Sequence, residues 1–289
     1  MYNGYLYRLI YVSYYSDNLI MAVITISRQL GSLGDEVAQK IADKLGYKLV
    51  TKQEIEKRIV SLGFPANKLS KFEEKKIGFF AGLTSLRDEY LNCLITAILE
   101  AASENNSVIV GRGSFIILKD IENHISARII AEEKVRSEYL QKNENLSQKL
   151  SLKKIAESEI VQKSFHKGFF NFDVENPEMF DLLINSSKID ADSVADAVIS
   201  LAKTFVTKEK EETGQKKIDE LLLGQRLVDV LVFVYNLNIE FLRASLKDNK
   251  ITLHGIADTQ KTLDAALTIV EAELPGFEII NKMSVGQEV

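Results

Sequence analysis

The amino-acid sequence predicts an α/β fold, in which a parallel sheet is covered by helices, followed by a small α+β domain. From Met21 onward, short apolar runs of strand type alternate with segments of helical spacing. Such alternation is typical of parallel sheets with helices on both faces. After residue 217 the order changes to helix, strand, strand, helix, strand. We therefore predict one domain at 21–206 and a second at 218–289, joined by a charged linker at 207–217.

The composition narrows the class of protein. Hydrophobic residues make up 46% and charged residues 27% of the 289 residues, values that fit a globular protein and not a disordered one. The net charge of −5 argues against a general nucleic-acid binder, because such surfaces are usually basic. Scattered histidines predict no metal site, and the lone Cys93 is expected to be buried. No apolar run reaches the ~18 residues of a membrane helix, so we expect a cytoplasmic protein.

Residues 1–20 differ from the rest of the chain. They contain six of the ten tyrosines and a single basic residue, Arg8. No small-residue cleavage site follows their weak apolar stretch, which disfavours a signal peptide. We predict an N-terminal extension and a fold that starts at Met21; an added edge strand or a partner-binding arm is the alternative.

The first domain is predicted to open with the strand AVITIS and a helix whose apolar residues Val37, Ile41 and Leu45 recur every four positions. Gly46 is placed to end that helix. The segment 65–88 is expected to be irregular. Further strands are predicted in YKLVT, SVIVG, HISARIIA and MFDLLINSS, and further helices in KQEIEKRIVSLG, EYLNCLITAILEAASENN, EKVRSEYLQKN, SLKKIAESEIVQKSFHKGFF and DSVADAVISLAKTF.

The second domain is predicted to begin with the helix IDELLLGQRLVDVLVFVYN. Alternating apolar residues in IEFLRASLKDNKITLHGIA predict a hairpin that turns at Asp248 and Asn249. The helix TQKTLDAALTIVEAEL, a turn at Pro275-Gly276 and the strand FEIINKMSV complete the domain.

A glycine loop lies between the first strand and the first helix. Gly31 and Gly34 would let backbone N–H groups face an anion at the positive end of the helix, as in a phosphate-binding loop. The lysine and the Ser/Thr of a Walker loop are absent, since Asp35 and Glu36 follow the last glycine. The stretch from Ser32 to Asp35 also matches a capping box, in which carboxylates favour the helix dipole. An ordinary capped helix is therefore the alternative.

Two arginines are candidate partners for phosphate. Arg28 is the cation nearest to the loop, and a guanidinium can bind phosphate through two parallel hydrogen bonds. Arg112 lies between Gly111 and Gly113, directly after the buried strand SVIVG. Because ligands of open α/β sheets lie at the carboxyl ends of strands, Arg112 is a candidate anion contact. The alternative is an arginine in a solvent-facing turn.

With these motifs in this order, the chain resembles the cytidylate kinase-like family, whose members are P-loop proteins of the nucleoside-monophosphate kinase fold. The motifs are ITISRQLGSLGDEVAQKIADKLGY, SVIVGRGSFIIL and FDLLINSS, and the similarity covers about Met21 to Phe205. The loop of the family usually lacks the Walker lysine as well. The resemblance therefore implies that the missing lysine is not peculiar to this chain.

The resemblance also implies a function and a set of site residues. It implies an ATP-dependent kinase of CMP or dCMP that uses Mg²⁺ with ATP and takes a nucleotide as substrate. Arg28 and Arg112 would neutralise phosphate charge, Arg136 would serve at the start of the mobile lid, and Asn185 would lie near the base-side loop. The ATP phosphates would be held by Gly31, Ser32, Leu33, Gly34, Asp35 and Glu36.

The chain departs from the pattern of the family in ways that mostly remove positive charge. Leu33 replaces a glycine, and Asp35 stands where an arginine is common. The segment Val50-Thr51-Lys52 lacks an aspartate that relatives commonly carry there. The lid of the family offers an acidic residue and an arginine three positions apart, whereas here Glu159 is followed by Gln162. Lys163 or Lys167 would have to substitute for that arginine.

The C-terminal part resembles the BON domain, a small α+β unit. The cues are a strand that ends in Leu253-His254-Gly255, then a helix, a turn and a final strand with Ile280-Asn281. The resemblance implies a protein or membrane-surface partner, and a compact dimerisation or stabilising module is the alternative. For the whole chain, the alternative to an active kinase is a nucleotide-sensing or structural pseudokinase that acts through this C-terminal domain.

Overall fold

The computed structural model describes residues 20–72 and 84–286, which fall into two compact units, Ile20–Ile218 and 219–286. All but one residue of the predicted extension 1–20, and part of the segment 65–88, lie outside the described residues. No helix among the described residues is long and apolar enough to cross a bilayer.

The first unit is built on a parallel sheet, as predicted. Its strand order is β2-β3-β1-β4-β5, and every neighbouring pair is parallel. With β1 in the centre, the carboxyl ends of β1, β3 and β4 meet at one edge. The strands are β1 (Val23–Arg28), β2 (Lys48–Val50), β3 (Ser107–Val110), β4 (His124–Ile130) and β5 (Leu182–Asn185).

Helices cover both faces of this sheet, as the alternating pattern requires. On one face, α1 (Gly34–Leu45) and α7 (Ala191–Phe205) bury an apolar core with the side chains of Ile24 and Ile26. Alternate residues of a strand point to opposite faces, so the neighbours Thr25 and Ser27 lie on the other side. The remaining helices of this unit are α2 (Lys52–Ser61), α3 (Thr84–Ser103), α4 (Ser114–Ile117), α5 (Glu133–Glu144) and α6 (Gln148–Phe170), with 3-10 turns at Ala66–Phe72 and Pro177–Met179.

Helix ends follow local signals where such signals exist. The side chain of Asp190 accepts a hydrogen bond from the backbone of Ser193 at the start of α7, and α1 ends at Gly46 with φ of +67°. The expectation of irregular structure up to residue 88 was wrong at its end, because α3 begins at Thr84. Leu86 and Tyr90, one turn apart, are both buried, so tertiary packing extends this helix.

The second unit has the predicted order of helix, strand, strand, helix, strand. Its sheet has the order β6-β7-β8, antiparallel and then parallel, and Asp248 and Asn249 form the hairpin turn with positive φ. The core includes Leu253, Leu263 and Val270. The helix α8 (Lys208–Asp229) contains the division at 218, and its part from Asp219 onward belongs to the second unit. The other elements are a π-helical turn (Val230–Val234), β6 (Ile239–Lys247), β7 (Lys250–Ala257), α9 (Gln260–Glu273) and β8 (Glu278–Val285). Most of the predicted linker lies within α8, and the division at 206 and 218 stays a prediction.

Candidate functional site

The loop between β1 and α1 has the backbone shape of an anion cradle. Gly31 and Leu33 both adopt left-handed conformations, with φ of +78° and +64°. Gly31 packs against α5, since a Cβ there would lie 2.9 Å from the carbonyl oxygen of Arg136. Leu33 keeps its side chain against the apolar core. The loop is therefore held from two sides, by α5 and by the core of the sheet.

The capping box at Ser32 to Asp35, which was the alternative interpretation, does not form. The hydroxyl of Ser32 is buried and donates instead to carbonyl oxygens, at 2.8 Å from Gln29 and 3.0 Å from Ile129. The residue before α1 is Leu33, and no side chain caps the helix. The first N–H groups of an α-helix have no partner within the helix. At α1 these donors therefore remain available to a bound anion.

Arg28 connects the two glycine motifs. Its side chain packs on Gly34, where any Cβ would collide with it, and its Nη1 would lie 2.9 Å from a Cβ at Gly111. Its Nε donates to Oδ1 of Asp35 at 2.9 Å. The Arg28 side chain is 27% exposed and that of Asp35 is 71% exposed, so solvent reaches this ion pair. Arg28 thus lies at the loop, but Asp35 neutralises it.

Arg112 is not the solvent-facing turn residue of the alternative interpretation, because its side chain is only 9% exposed. It has φ of +55°, and the flanking Gly111 and Gly113 are left-handed too. The guanidinium forms an ion pair with Glu56 of α2 and lies 5.6 Å from the ring centroid of Phe165 on α6. Arg112 therefore follows the carboxyl end of β3 and lies between α2 and α6.

Arg136, on α5, is 4% exposed. Its Nε donates to the carbonyl oxygen of Ala131 at 3.0 Å and its Nη2 to Glu159 of α6 at 2.8 Å. The third nitrogen, Nη1, is buried without a hydrogen-bond partner among the described residues. The backbone of Arg136 touches Gly31, as noted above, so this residue lies directly beside the loop.

The segment of α6 that the resemblance predicts as part of a lid contains one cation that is paired with a carboxylate. Lys163, one of the candidate substitutes for the missing lid arginine, forms an ion pair with Glu175 at 2.9 Å. That contact raises the pKa of Lys163 above its usual value. Lys167, the other candidate, is exposed near the end of α6. Gln162 lies 3.5 Å from the hydroxyl of Ser158 and brings no charge.

The remaining predicted residues lie at the same edge of the sheet. Glu36 accepts a hydrogen bond from the hydroxyl of Tyr139 at 2.7 Å, and this bond raises the pKa of Tyr139 to about 12. Asn185 ends β5, exposed, and its Oδ1 accepts from the backbone and the hydroxyl of Ser187. The next residue, Ser186, donates to the carbonyl oxygen of Ser32 at 2.7 Å, which ties this end of β5 to the loop.

The arrangement can bind an anion but is close to charge balance. Each of the three predicted arginines has a carboxylate partner, so a phosphate must compete for them. Sequence reasoning missed these partners, and it also missed Arg128 and His166, two buried polar residues near the site. A signal for Arg128 existed, because an arginine within the apolar run HISARIIA is unusual for a buried strand.

Comparisons with known proteins agree with this geometry. The chain is 28% identical over 180 residues to a cytidylate kinase of Methanocaldococcus jannaschii, which covers 62% of this chain and 96% of that protein. It is 29% identical over 168 residues to a cytidylate kinase of Pyrococcus horikoshii, covering 57% and 80%. A crystal structure of an uncharacterized protein from Eubacterium ventriosum matches with a TM-score of 0.51 and 23% identity, over 64% of this chain and 99% of that one. This last similarity shows a shared fold.

The family comparison covers the whole candidate site. The model of the cytidylate kinase-like family matches residues 23–188, which is more than half of the chain. This range includes the glycine loop, the Gly111–Gly113 turn, α5, α6 and the end of β5. The chain therefore belongs to the cytidylate kinase-like family.

Proposed function

We propose that this protein is an ATP-dependent nucleoside-monophosphate kinase that acts on CMP or dCMP. The observation that carries the proposal is the uncapped start of α1, with Arg28 placed between Gly34 and Gly111. Free N–H donors, a helix dipole and a guanidinium at the carboxyl edge of a parallel sheet suit the phosphates of a nucleotide. Membership of the family and the names of the two archaeal relatives support the reaction.

Each residue of the site has a proposed task. When bound, ATP supplies the phosphoryl group for in-line transfer to the monophosphate. The backbone from Gly31 to Gly34 holds ATP phosphates, while Arg28 and Arg112 offset the charge that spreads over the transferred group. Arg112, next to α2, serves the acceptor side, and Arg136 serves at the start of the lid.

Magnesium would reach the site with the triphosphate. Mg²⁺ is usually held by one or two carboxylates together with substrate phosphates. Asp35 and Glu36 are the carboxylates next to the loop, and both are engaged, by Arg28 and Tyr139. No cluster of three or more potential metal ligands occurs in the described part of the chain.

A nucleotide-sensing pseudokinase is the second candidate, and the charge balance of the site favours it. Asp35, Glu56 and Glu159 already neutralise the three predicted arginines, and the lid lacks an arginine at Gln162. Catalysis needs cations that stabilise the transition state more than the bound substrate. In this second candidate the C-terminal unit, which we propose is BON-like, binds the partner.

A coupled assay of ADP release with ATP, Mg²⁺ and CMP tests both candidates. Turnover above background supports the kinase. No turnover, together with a melting temperature that ATP raises, supports the sensor. If ATP neither turns over nor raises the melting temperature, the phosphate-binding loop itself is refuted.

A matched pair of variants keeps this test specific to the site. Arg112 and Arg58 are both largely buried arginines that are paired with glutamates. Arg112→Lys should lower kcat/KM for CMP at least tenfold, because a lysine cannot reproduce the planar fork. Arg58→Lys, which lies outside the proposed site, should leave it within twofold. Equal effects of the two substitutions would speak against a role of Arg112 at the acceptor.

A further inference from the structure

A cavity of about 310 Å³ lies in the first unit, at the amino ends of β4 and β5. It borders His124 and Ser126 near the start of β4, whereas the glycine loop follows the carboxyl end of β1, a strand parallel to β4. The cavity therefore lies at the opposite edge of the sheet from the candidate site. Its volume is within the range of about 300–1,000 Å³ that is typical of small-molecule sites.

Aromatic rings form part of the wall of this cavity. Phe115 is 2% exposed, and the centroid of its ring lies 4.6 Å from that of Phe180. Phe205, which ends α7 and also lines the cavity, is 40% exposed. The ammonium of Lys210 lies 3.3 Å from the centroid of the Phe205 ring and donates to the carbonyl oxygen of Phe205 at 3.1 Å. The chain thus places one of its own ammonium groups on this ring, which suits a cation both as a π-face and as the carboxyl end of a helix.

The charged residues around the cavity are mostly acidic. Lys119 is the single lysine or arginine among the described residues that line it, and four of them are acidic: Asp120, Glu122, Glu178 and Asp181. Oδ2 of Asp181 accepts hydrogen bonds from the backbone and the hydroxyl of Ser126, at 2.8 and 2.7 Å. Ser126 is 4% exposed, so this carboxylate is fixed to a buried residue of β4. Oε2 of Glu122 accepts from the hydroxyl of Thr213 at 2.7 Å. Two of the four carboxylates are therefore held in place, and each keeps its other oxygen for a ligand.

The acidic residues reach the cavity from two separate segments. Asp120 and Glu122 belong to the turn before β4. Glu178 lies in the 3-10 turn Pro177–Met179, and Asp181 lies directly before β5. A ligand that is complementary to carboxylates on both segments, and to the aromatic wall, carries several positive charges that are separated by apolar chain. Aliphatic polyamines have this composition, because methylene groups separate their ammonium groups.

We propose that this cavity binds an aliphatic polyamine. Asp181 receives one ammonium group and a carboxylate of the turn before β4 receives another, while the methylene groups lie against Phe115 and Phe180. Phe205 offers the face of its ring to a further ammonium. Asp181 is the anchor, because its hydrogen bonds with Ser126 fix it before the ligand arrives and so lower the entropic cost of binding. The inference goes beyond the proposed kinase function, since it uses none of the residues of the candidate site.

Titration calorimetry of spermidine with the full chain, at constant ionic strength, tests the inference. Spermidine should bind at least about tenfold more tightly than octanediol, which has a chain of similar length without charge. Asp181→Asn keeps an oxygen that can accept from Ser126 but removes the charge, and it should weaken the binding of spermidine about tenfold. Glu178→Gln should weaken it about threefold without loss of the fold, because the side chain of Glu178 is exposed.

Glu175→Gln is the matched control. Glu175 is an exposed glutamate close to Glu178 in sequence, but it pairs with Lys163 and does not line the cavity. Its substitution removes the same charge and should leave the affinity for spermidine within about twofold. Equal weakening by Glu175→Gln and Glu178→Gln, or octanediol that binds as tightly as spermidine, overturns the inference. Full displacement of spermidine by Mg²⁺ at the same ionic strength overturns it too, because the carboxylates would then hold a metal ion. These results are read without nucleotide, so the proposed kinase function is tested separately.

Discussion

At the scale of single residues, the ion pair between Arg28 and Asp35 is the contact on which the proposed nucleotide binding would depend. Their ion pair is reached by solvent, and exposed ion pairs contribute only about 0–1 kcal/mol to stability. A triphosphate brings more negative charge than one carboxylate and can form two parallel hydrogen bonds with a guanidinium. We therefore infer that Asp35 holds Arg28 at the loop until phosphate displaces it.

This contact gives a pair of opposite predictions. Arg28→Ala should weaken ATP binding by about tenfold or more, since a charged hydrogen bond is lost and Asp35 is left facing the phosphates. Asp35→Lys should strengthen ATP binding, because it removes the competing carboxylate and adds a cation. Titration calorimetry with ATP and Mg²⁺ measures both effects.

Asp192→Asn is the control for these variants. Asp192 forms an exposed ion pair with Lys40 at 2.6 Å on the outer side of α1, away from the loop. Asp192→Asn raises the net charge by one unit, which is half of the change that Asp35→Lys makes. ATP affinity should nevertheless stay the same. Unchanged affinity in both Arg28→Ala and Asp35→Lys would reduce the glycine loop to an ordinary turn.

The sequence predicted which residues carry charge at this site but not which of them pair. Arg28 was proposed from its position before the glycines, and the structure places it against Gly34 and Gly111. A capping box explained Asp35 equally well from the sequence. The Ser32 hydroxyl cannot cap the helix because it donates to the carbonyl oxygen of Ile129, a contact between distant parts of the chain that local spacing does not reveal. His166 lay unnoticed in a charged helix, since its buried Nε2, which has no hydrogen-bond partner among the described residues, is a property of the packed interior.

At the scale of elements, β4 and α6 each bury a neutral imidazole. Burial is the largest cause that lowers the pKa values of both His124 and His166 to about 4. In the unfolded chain a histidine has a pKa of about 6.5. Below that pH the unfolded chain takes up protons that the native protein refuses, so folding becomes less favourable.

We therefore predict that stability falls as the pH is lowered from 7 to 5. The stabilising effect of each neutral imidazole is complete above about pH 6.5 and should decrease by roughly 2 kcal/mol at pH 5, and further toward the folded pKa. Urea unfolding at several pH values measures the free energy of unfolding. The His124→Phe variant should show a clearly smaller difference between pH 7 and pH 5.

His254→Gln serves as the control for this pH dependence. His254 lies exposed on β7, outside the core, so its loss should leave the difference between the two pH values unchanged. If the free energy of unfolding falls equally between pH 7 and pH 5 in the wild type and in His124→Phe, the His124 imidazole does not cause the pH dependence of stability.

The order of elements was predictable because it follows from local patterns. The strands of the sheet and the helix–strand–strand–helix–strand order of the second unit were confirmed. The start of α3 was not predictable, since residues 84–88 become helical through the burial of Leu86. The charged segment 207–217 shows no apolar stripe, yet most of it is helical, because α8 buries single residues such as Ile218.

At the scale of the whole molecule, the chain combines two units that each have a core of their own. The first core is formed by the parallel sheet with α1 and α7, and the second by the three-stranded sheet with α9. The second unit also exposes large apolar side chains, among them Phe241 at 73% and Val234 at 67%. Phe241 has φ of +54° where the pairing of β6 with β7 shifts register. Exposed apolar residues of this kind can mark an interaction surface.

We predict from this exposure that the second unit binds a membrane surface. The full chain should co-sediment with liposomes, and Phe241→Ser should reduce the bound fraction severalfold, because an apolar ring that would insert among the lipids is lost. The melting temperature should barely change, since the ring contributes little to the core.

Leu150→Ser is the corresponding control. Leu150 is 53% exposed on α6 of the first unit, so its substitution removes an exposed apolar side chain from outside the predicted surface. Liposome binding should not change. Absence of co-sedimentation in the wild type would exclude the membrane and leave a protein partner or a stabilising role for this unit.

Leu33 has a consequence that reaches beyond its place in the loop. The resemblance to the family predicts glycine where this chain holds a leucine in a left-handed conformation, which a Cβ makes unfavourable by about 1–2 kcal/mol. In return the side chain anchors the loop to the core, and the unliganded chain has fewer backbone conformations to lose. The backbone of the glycine loop then loses its conformational entropy when the chain folds, and no further loss is needed when a ligand binds. If the loop binds a nucleotide as proposed, we expect that nucleotide to find the loop already ordered. Its affinity would then depend mainly on how easily its phosphates separate the existing ion pairs.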